Sequence, residues 1–286
     1  MIYILAWHFR NNPDEAAMEL ALDDFMVNLI TKTQTTHYLG VFSPSKTFRN
    51  DLYPEYKANR KKQPPPAHIE YWKPRIIKLC VEKYQFFIAD NIEADDVLSI
   101  MREAEGFDEI IFCSPDKDIR QIPGKHYNYG VKEDHPKVWE EIDIHEAAYR
   151  FWLQMLIGDS TDNVKGCKGI GEEKAPKIVR REMTIEEMKE AVRTAYLENK
   201  KYKDKEEAEE QMRLQSRLLR LIPPLPLDGV VEQVYGKHVI EVAYNDAELN
   251  IDTDESSDNG DRVLQDNQRP HQDDILRSAA GLPEQV

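Results

Sequence analysis

The chain has 286 residues, 41% hydrophobic and 32% charged, with a formal net charge of −15. That balance describes a soluble globular protein of one large domain or two small ones, and it argues against nucleic-acid binding by bulk electrostatics. No apolar run approaches the ~18 residues of a membrane span. Cys80, Cys113 and Cys167 form no CxxC pair, so neither a zinc site nor a disulfide framework is indicated, and a reducing cytoplasm is the expected location.

The opening MIYILAW is too short for a secretion signal and lacks a basic leader; it reads as a buried strand over 2–7. Residues 14–32 carry Ala17, Leu20, Ala21, Phe25 and Leu29 at helical spacing. HYLGVF (37–42) reads as a second strand, followed by a basic stretch that ends at the triple proline 64–66, which stops any helix. An amphipathic helix is predicted over 68–83, a third strand at FFIAD (86–90), and a helix over EADDVLSIMREAEG. EIIFCS (109–114) is the clearest strand, YNYGV and KVWEEI suggest a short hairpin, and 144–158 is a helix stopped by glycine. From 159 to 222 only helices are predicted. Residues 199–214 are charge-rich, and QSRLLRLI ends at Pro223. Between Asn245 and Val286 eleven acidic residues face three basic ones, a net −8 with almost no aromatics, which predicts a disordered acidic tail.

Strand–helix alternation at this spacing predicts an α/β fold with a mainly parallel central sheet flanked by helices. Such sheets bind ligands beyond the carboxyl ends of their strands. Acidic residues fall there: Glu93, Asp95 and Asp96 after FFIAD, and Asp116 and Asp118 after EIIFCS. Asp159 and Asp162 follow a helix. Each group alone is ordinary capping or turn chemistry. Seven carboxylates in one cleft are different, because unit charges about 4 Å apart repel by ~4 kcal/mol at an effective dielectric of ~20. Only cations hold such a set together. All-oxygen ligation selects Mg²⁺ or Mn²⁺, and two such ions suit in-line hydrolysis of a phosphodiester.

The acids at 159 and 162 run into GCKGIGEEKA, where Gly166, Gly169 and Gly171 precede a predicted helix. Glycines permit turns that aim successive N–H groups at phosphates. The pattern resembles a helix-hairpin-helix turn that grips duplex backbone. It is not a dinucleotide fingerprint, since a helix precedes it, nor a P-loop, since GxxxxGK[ST] is absent. A plain loop before a helix is the simpler alternative.

FRNDLYPEYKANR, EADD, SPDKD and GDSTDNVKGCKGIG resemble, in order and spacing, the motifs of the 5'-3' exonuclease and flap endonuclease superfamily. The resemblance spans residues 37–180. It implies a PIN-like nuclease core over 1–158 with a helical arch at about 49–72, and a helix-hairpin-helix-containing helical subdomain over 159–244 with its turn at 166–171. It implies two metal ions on Glu93, Asp95, Asp96, Asp116, Asp118, Asp159 and Asp162, and K⁺ at the glycine turn. Lys57 and Arg60 would be catalytic. Arg49 would meet phosphate and Tyr56 would stack on a base, while Gly166, Lys168, Gly169, Gly171 and Lys174 would bind duplex DNA. A basic stretch interleaved with Tyr53 and Tyr56 agrees with a stacking and phosphate platform. Implied partners are DNA with 5' ends, flaps or nicks, RNA–DNA hybrids and replication proteins, met as a monomer, with no membrane.

Two departures bear on activity. The family's first strand ends in an aspartate where this chain has Ala6 or Trp7, and its second strand ends in VFD where this chain has Ser43. A metal-dependent 5' nuclease of phage or bacterial DNA replication is therefore weighed against a structure-selective DNA-binding protein that does not cut. A Mg²⁺-dependent small-molecule phosphohydrolase would leave the basic arch and glycine turn without a purpose.

Overall fold

The computed structural model describes residues 1–35, 38–62, 64–105, 110–130 and 138–222. The predicted acidic tail lies outside the described residues, as do the residues between the two predicted hairpin strands and everything from 223 onward.

The first seven-residue element is a helix and not the predicted strand. α1 (Ile2–His8) buries Leu5 and Ala6 and leaves Tyr3 and Trp7 exposed. A short apolar run fits either structure. Here Tyr3 and Trp7 share one face and Leu5–Ala6 another, which is helical placement. α1 packs with α2 (Glu15–Thr33) and α4 (Ala67–Tyr84) around Met18, Leu22, Met26, Trp72, Ile76 and Cys80. The Asp14 side chain caps α2 by accepting the Ala17 N–H at 3.0 Å.

Between α2 and α4 lie β1 (Val41–Phe42), α3 (Phe48–Leu52) and a 3₁₀ turn over Ala58–Lys62. The chain continues with β2 (Phe87–Ile88), α5 (Ala94–Glu105), β3 (Ile111–Cys113), β4 (Gly124–Asn128) and β5 (Val138–Ile142). The central sheet is two small sheets. β1 pairs parallel with β2, Val41 opposite Phe87; β3 pairs parallel with β4, and β4 pairs antiparallel with β5. The predicted hairpin thus forms, with β4 starting at Gly124.

The remainder is helical: α6 (Ile144–Ile157), α7 (Ala175–Ile178), α8 (Ile185–Leu197) and α9 (Lys205–Leu219). No strand forms among described residues 159–222, only an isolated bridge between Asp159 and Val164. These helices share a core of Trp152, Met155, Leu156, Met188, Val192, Tyr196 and Met212. Tyr56 from the segment after α3 enters that core, and Ile222 after α9 packs with Ile92, Val97 and Ile100. Both halves of the fold are therefore tied through the 48–60 segment and through Ile222 after α9. Among the described residues no helix is long and apolar enough to cross a membrane.

Candidate active site

The acids stand where parallel strands end. β2 leads through Asn91, whose φ of +57° makes the turn, into Glu93 and α5. β3 leads into Ser114, whose hydroxyl accepts the Asp116 N–H at 3.1 Å, and the Asp116 carboxylate accepts the Asp118 N–H at 3.1 Å. β1 leads into Ser43. Its hydroxyl accepts the Ala94 N–H at 2.9 Å and so caps α5 from another strand. Ser43, where the resemblance implies an aspartate, supplies a hydrogen bond and no charge.

Asp159 and Asp162 sit in a tight loop after α6. Asp159 and Val164 exchange both backbone hydrogen bonds, at 2.7 and 2.8 Å. The Asp159 carboxylate accepts the N–H groups of Thr161 and Asp162, at 2.7 and 3.2 Å. Two glycines make this loop possible. A Cβ on Gly158 would lie 2.4 Å from the Val164 carbonyl oxygen, and one on Gly166 would lie 2.4 Å from the Gly158 nitrogen.

The three groups share one field. Asp95 is pushed up to about 8, first by burial and then by the charges of Asp116, Glu93, Asp96 and Asp118. Asp118 is pushed up to about 6 by burial and by Asp116 and Asp159, against the pull of Lys117. Asp159 also feels burial, but Lys117 and two backbone N–H groups outweigh it and hold its carboxyl below the usual range.

Four cations of the chain answer these charges. Lys57 contacts Glu93 and lies 3.4 Å from Asp162; Arg60 pairs with Asp162; Lys117 lies 3.1 Å from Asp159. Arg49 takes Asp96 in a fork, at 2.5 and 2.8 Å. Among the described residues no three acidic, histidine or cysteine side chains form a ready coordination sphere. The donors themselves, all carboxylate oxygens in a strained negative field, fit hard divalent ions once these internal cations give way.

Several predicted roles need correction. Arg49 is 1% exposed and faces no solvent; it also donates to the Leu218 and Arg220 carbonyls, both at 3.0 Å. Its neighbour Asp96 is fully buried and saturated: besides Arg49 it accepts the N–H groups of Glu93 and Ile222. Asp96 is thus a structural anion and not a free metal ligand. Tyr56 is 3% exposed, and its single hydroxyl proton is shared between the Glu93 and Asp162 carboxylates, at 2.9 and 3.0 Å, so its ring is core and not a base platform. Gly166 is inside the loop crossing, its N–H on the Gln215 side chain. In the 49–60 part of the predicted arch Arg49 and Tyr56 are buried while Asp51, Pro54, Glu55 and Arg60 are exposed, and from Ala67 the chain is already α4.

Lys168, Gly169, Gly171 and Lys174 are exposed together at the glycine turn. Gly169 has φ +77°, and the Lys174 ammonium reaches its carbonyl at 3.2 Å. Lys168 pairs with Glu207 at 2.6 Å. Sequence reasoning missed three side chains here. Lys117 lay unassigned within SPDKD. Gln154 donates to Asp118 at 2.9 Å, and its signal is a polar residue breaking the apolar run FWLQMLIG. Lys201 sits over Gly169 from the segment between α8 and α9, and no local pattern marks it.

Two family models cover the chain from residue 12 to residue 240: the 5'-3' exonuclease N-terminal resolvase-like domain over 12–151, and the 5'-3' exonuclease C-terminal SAM fold over 151–240. The chain belongs to the 5'-3' exonuclease family. Within it, the chain is 30% identical to a Bacillus subtilis 5'-3' exonuclease over 59% of its own length and 61% of that protein's. It is 25% identical to Bacillus subtilis DNA polymerase I over 79% of its length and 27% of the polymerase. The chain spans only about a fifth to a quarter of the DNA polymerase I relatives it matches, between 19% and 27% for three of them. Its fold is shared with the bacteriophage T5 flap endonuclease, solved with DNA and metal ions, at a TM-score of 0.59 and 17% identity over 85% of this chain and 94% of that one. The N-terminal model starts beyond α1, so the helix found at 2–8 lies outside the matched region.

Proposed function

We propose that this 5'-3' exonuclease family member hydrolyses DNA phosphodiesters near 5' ends, flaps or nicks with the help of two divalent cations. The observation that carries this reading is the shared field of Asp95, Asp116, Asp118 and Asp159, drawn from three separate segments. Divalent ions, when bound, supply Lewis acidity at the scissile phosphate. Glu93, Asp95, Asp116, Asp118, Asp159 and Asp162 would hold them. Gln154 fixes the Asp118 carboxylate, and Lys117 partly neutralises Asp159. Lys57 and Arg60 carry positive charge at the edge of the cleft and would face the negative charge that develops on the phosphate. Gly169, Gly171, Lys168 and Lys174 would hold duplex backbone some way from the cut, with K⁺ at the turn.

Cleavage of a 5'-labelled flap substrate with Mg²⁺ or Mn²⁺ tests the proposal; an intact substrate at high protein, beside a positive control that is cut, refutes it. A second reading has its own support. Ser43 brings no carboxylate and Asp96 is spent on Arg49, so the cleft holds fewer ligands than the motifs suggest. On that reading the protein recognises branched DNA without cutting it. Binding and cleavage measured on the same flap, with wild type and Asp116→Ala, separate the two: cleavage lost with binding kept excludes the non-cutting reading.

A further inference from the structure

Lys57 stands out among the internal cations of the cleft. Its backbone sits in the left-handed region, φ +56°, which a side-chain-bearing residue seldom adopts. The strain is held by its own N–H, bonded to the Asp162 carbonyl at 2.9 Å, and by the flanking turn of Tyr56 and Ala58. That geometry aims the side chain inward. The ammonium bridges Glu93, at the start of α5, and Asp162, in the loop after α6. Tyr56 supports the same bridge, its single hydroxyl proton shared between both acids while its ring lies 4.9 Å from the ammonium.

We infer that the Lys57 ammonium is a built-in stand-in for a divalent cation: it occupies the position between Glu93 and Asp162, and cation entry expels it toward solvent. The inference rests on the metal reading above and adds an order of events to it. One carboxylate oxygen of each acid is committed to the ammonium, and those are oxygens a divalent ion would require. A monovalent charge on a flexible stem yields to a divalent ion held by several carboxylates, because the latter gains more from the same field. Without the ammonium the cleft would open through repulsion, so the stand-in keeps the two segments in register while metal is absent. Once expelled, Lys57 is released from its acids and becomes available to an anionic strand. Metal loading and exposure of this lysine are thereby one event.

The test uses Ca²⁺ alone, without DNA, on the full chain. In calorimetric titrations Lys57→Met should bind Ca²⁺ about tenfold tighter than wild type, and Lys57→Arg, which keeps the charge, should bind close to wild type. Removing any nearby positive charge raises cation affinity, so a second measurement is needed. Acetylation of Lys57 by a water-soluble ester, followed by mass spectrometry, should speed up severalfold at saturating Ca²⁺, with exposed Lys78 as the reference. Equal Ca²⁺ affinity of wild type and Lys57→Met overturns the inference, and so does labelling of Lys57 that Ca²⁺ leaves unchanged or slows; Ca²⁺ binding to the wild type in either case leaves the metal reading standing. No Ca²⁺ binding to wild type or Lys57→Met refutes both.

Discussion

Replacing Arg49 by alanine should unfold the site before it affects DNA contact. The guanidinium makes two hydrogen bonds to Asp96 and one to each of the Leu218 and Arg220 carbonyls, the last of these only partly buried. Removing one partner of a buried ion pair costs about 3–5 kcal/mol, because the other charge is left without compensation. For folded bodies of 150–250 residues each kcal/mol moves the melting temperature by about 2–4 °C, so Arg49→Ala should melt roughly 6–20 °C below wild type. The double variant Arg49→Met/Asp96→Leu should recover part of that loss, since neither charge of the pair is left alone, while the Leu218 and Arg220 carbonyls and the Glu93 and Ile222 N–H groups lose these partners. Thermal unfolding followed by circular dichroism, in EDTA at neutral pH, reads both. If Arg49→Ala melted within 2 °C of wild type and only flap affinity fell, Arg49 would be a phosphate contact after all and the buried-pair argument would be wrong.

Gly158→Ala should destabilise by about 2 kcal/mol or more, since a Cβ would press on the Val164 carbonyl at 2.4 Å and the residue has φ +79°; a urea midpoint equal to wild type would contradict this. Asp95→Asn should stabilise the metal-free protein, and the gain should depend on pH. The folded carboxyl titrates at about 8 and the unfolded one near 3.8, so wild type takes up a proton on folding between those values and loses stability as pH rises. The gain from asparagine should therefore grow from pH 5 to about 8 and then level off, and a gain that shrinks with pH would refute the assignment. Ser43→Ala should lose about 1 kcal/mol of α5 capping, measured by thermal melting. Ser43→Asp should strengthen Mn²⁺ binding in calorimetry, and unchanged affinity would place Ser43 too far from the metals.

Much of this fold is legible in the chain because the signals are local. Asp14, Asp143, Thr184 and Asp204 each cap the helix that follows; the helix α2 is legible but not its face, since Leu20 of the predicted row is exposed and Met18, Leu22 and Met26 are buried instead. The strands are readable as apolar runs but not their extent: β1 and β2 pair over two residues each, and pairing is a long-range property. Residues 2–7 carry no periodicity long enough to separate strand from helix, and α4 decides the matter by receiving Leu5 and Ala6. In the site, residue type told which groups are acidic and where they cluster. It did not tell which are consumed. Arg49 and Asp96 are 47 positions apart, and only the folded chain shows that they satisfy each other. Tyr56 likewise looks like a stacking residue beside Lys57 and Arg60 until the α6–α9 core is seen to enclose it.

The Ile222 N–H on Asp96, at 3.2 Å, has a consequence for the rest of the molecule. It fastens the last described residue onto the floor of the acidic cleft, next to the Arg49 fork. Loss of the Asp96 carboxylate would therefore loosen more than the fork, because Ile222 also packs with Ile92, Val97 and Ile100 beneath α5.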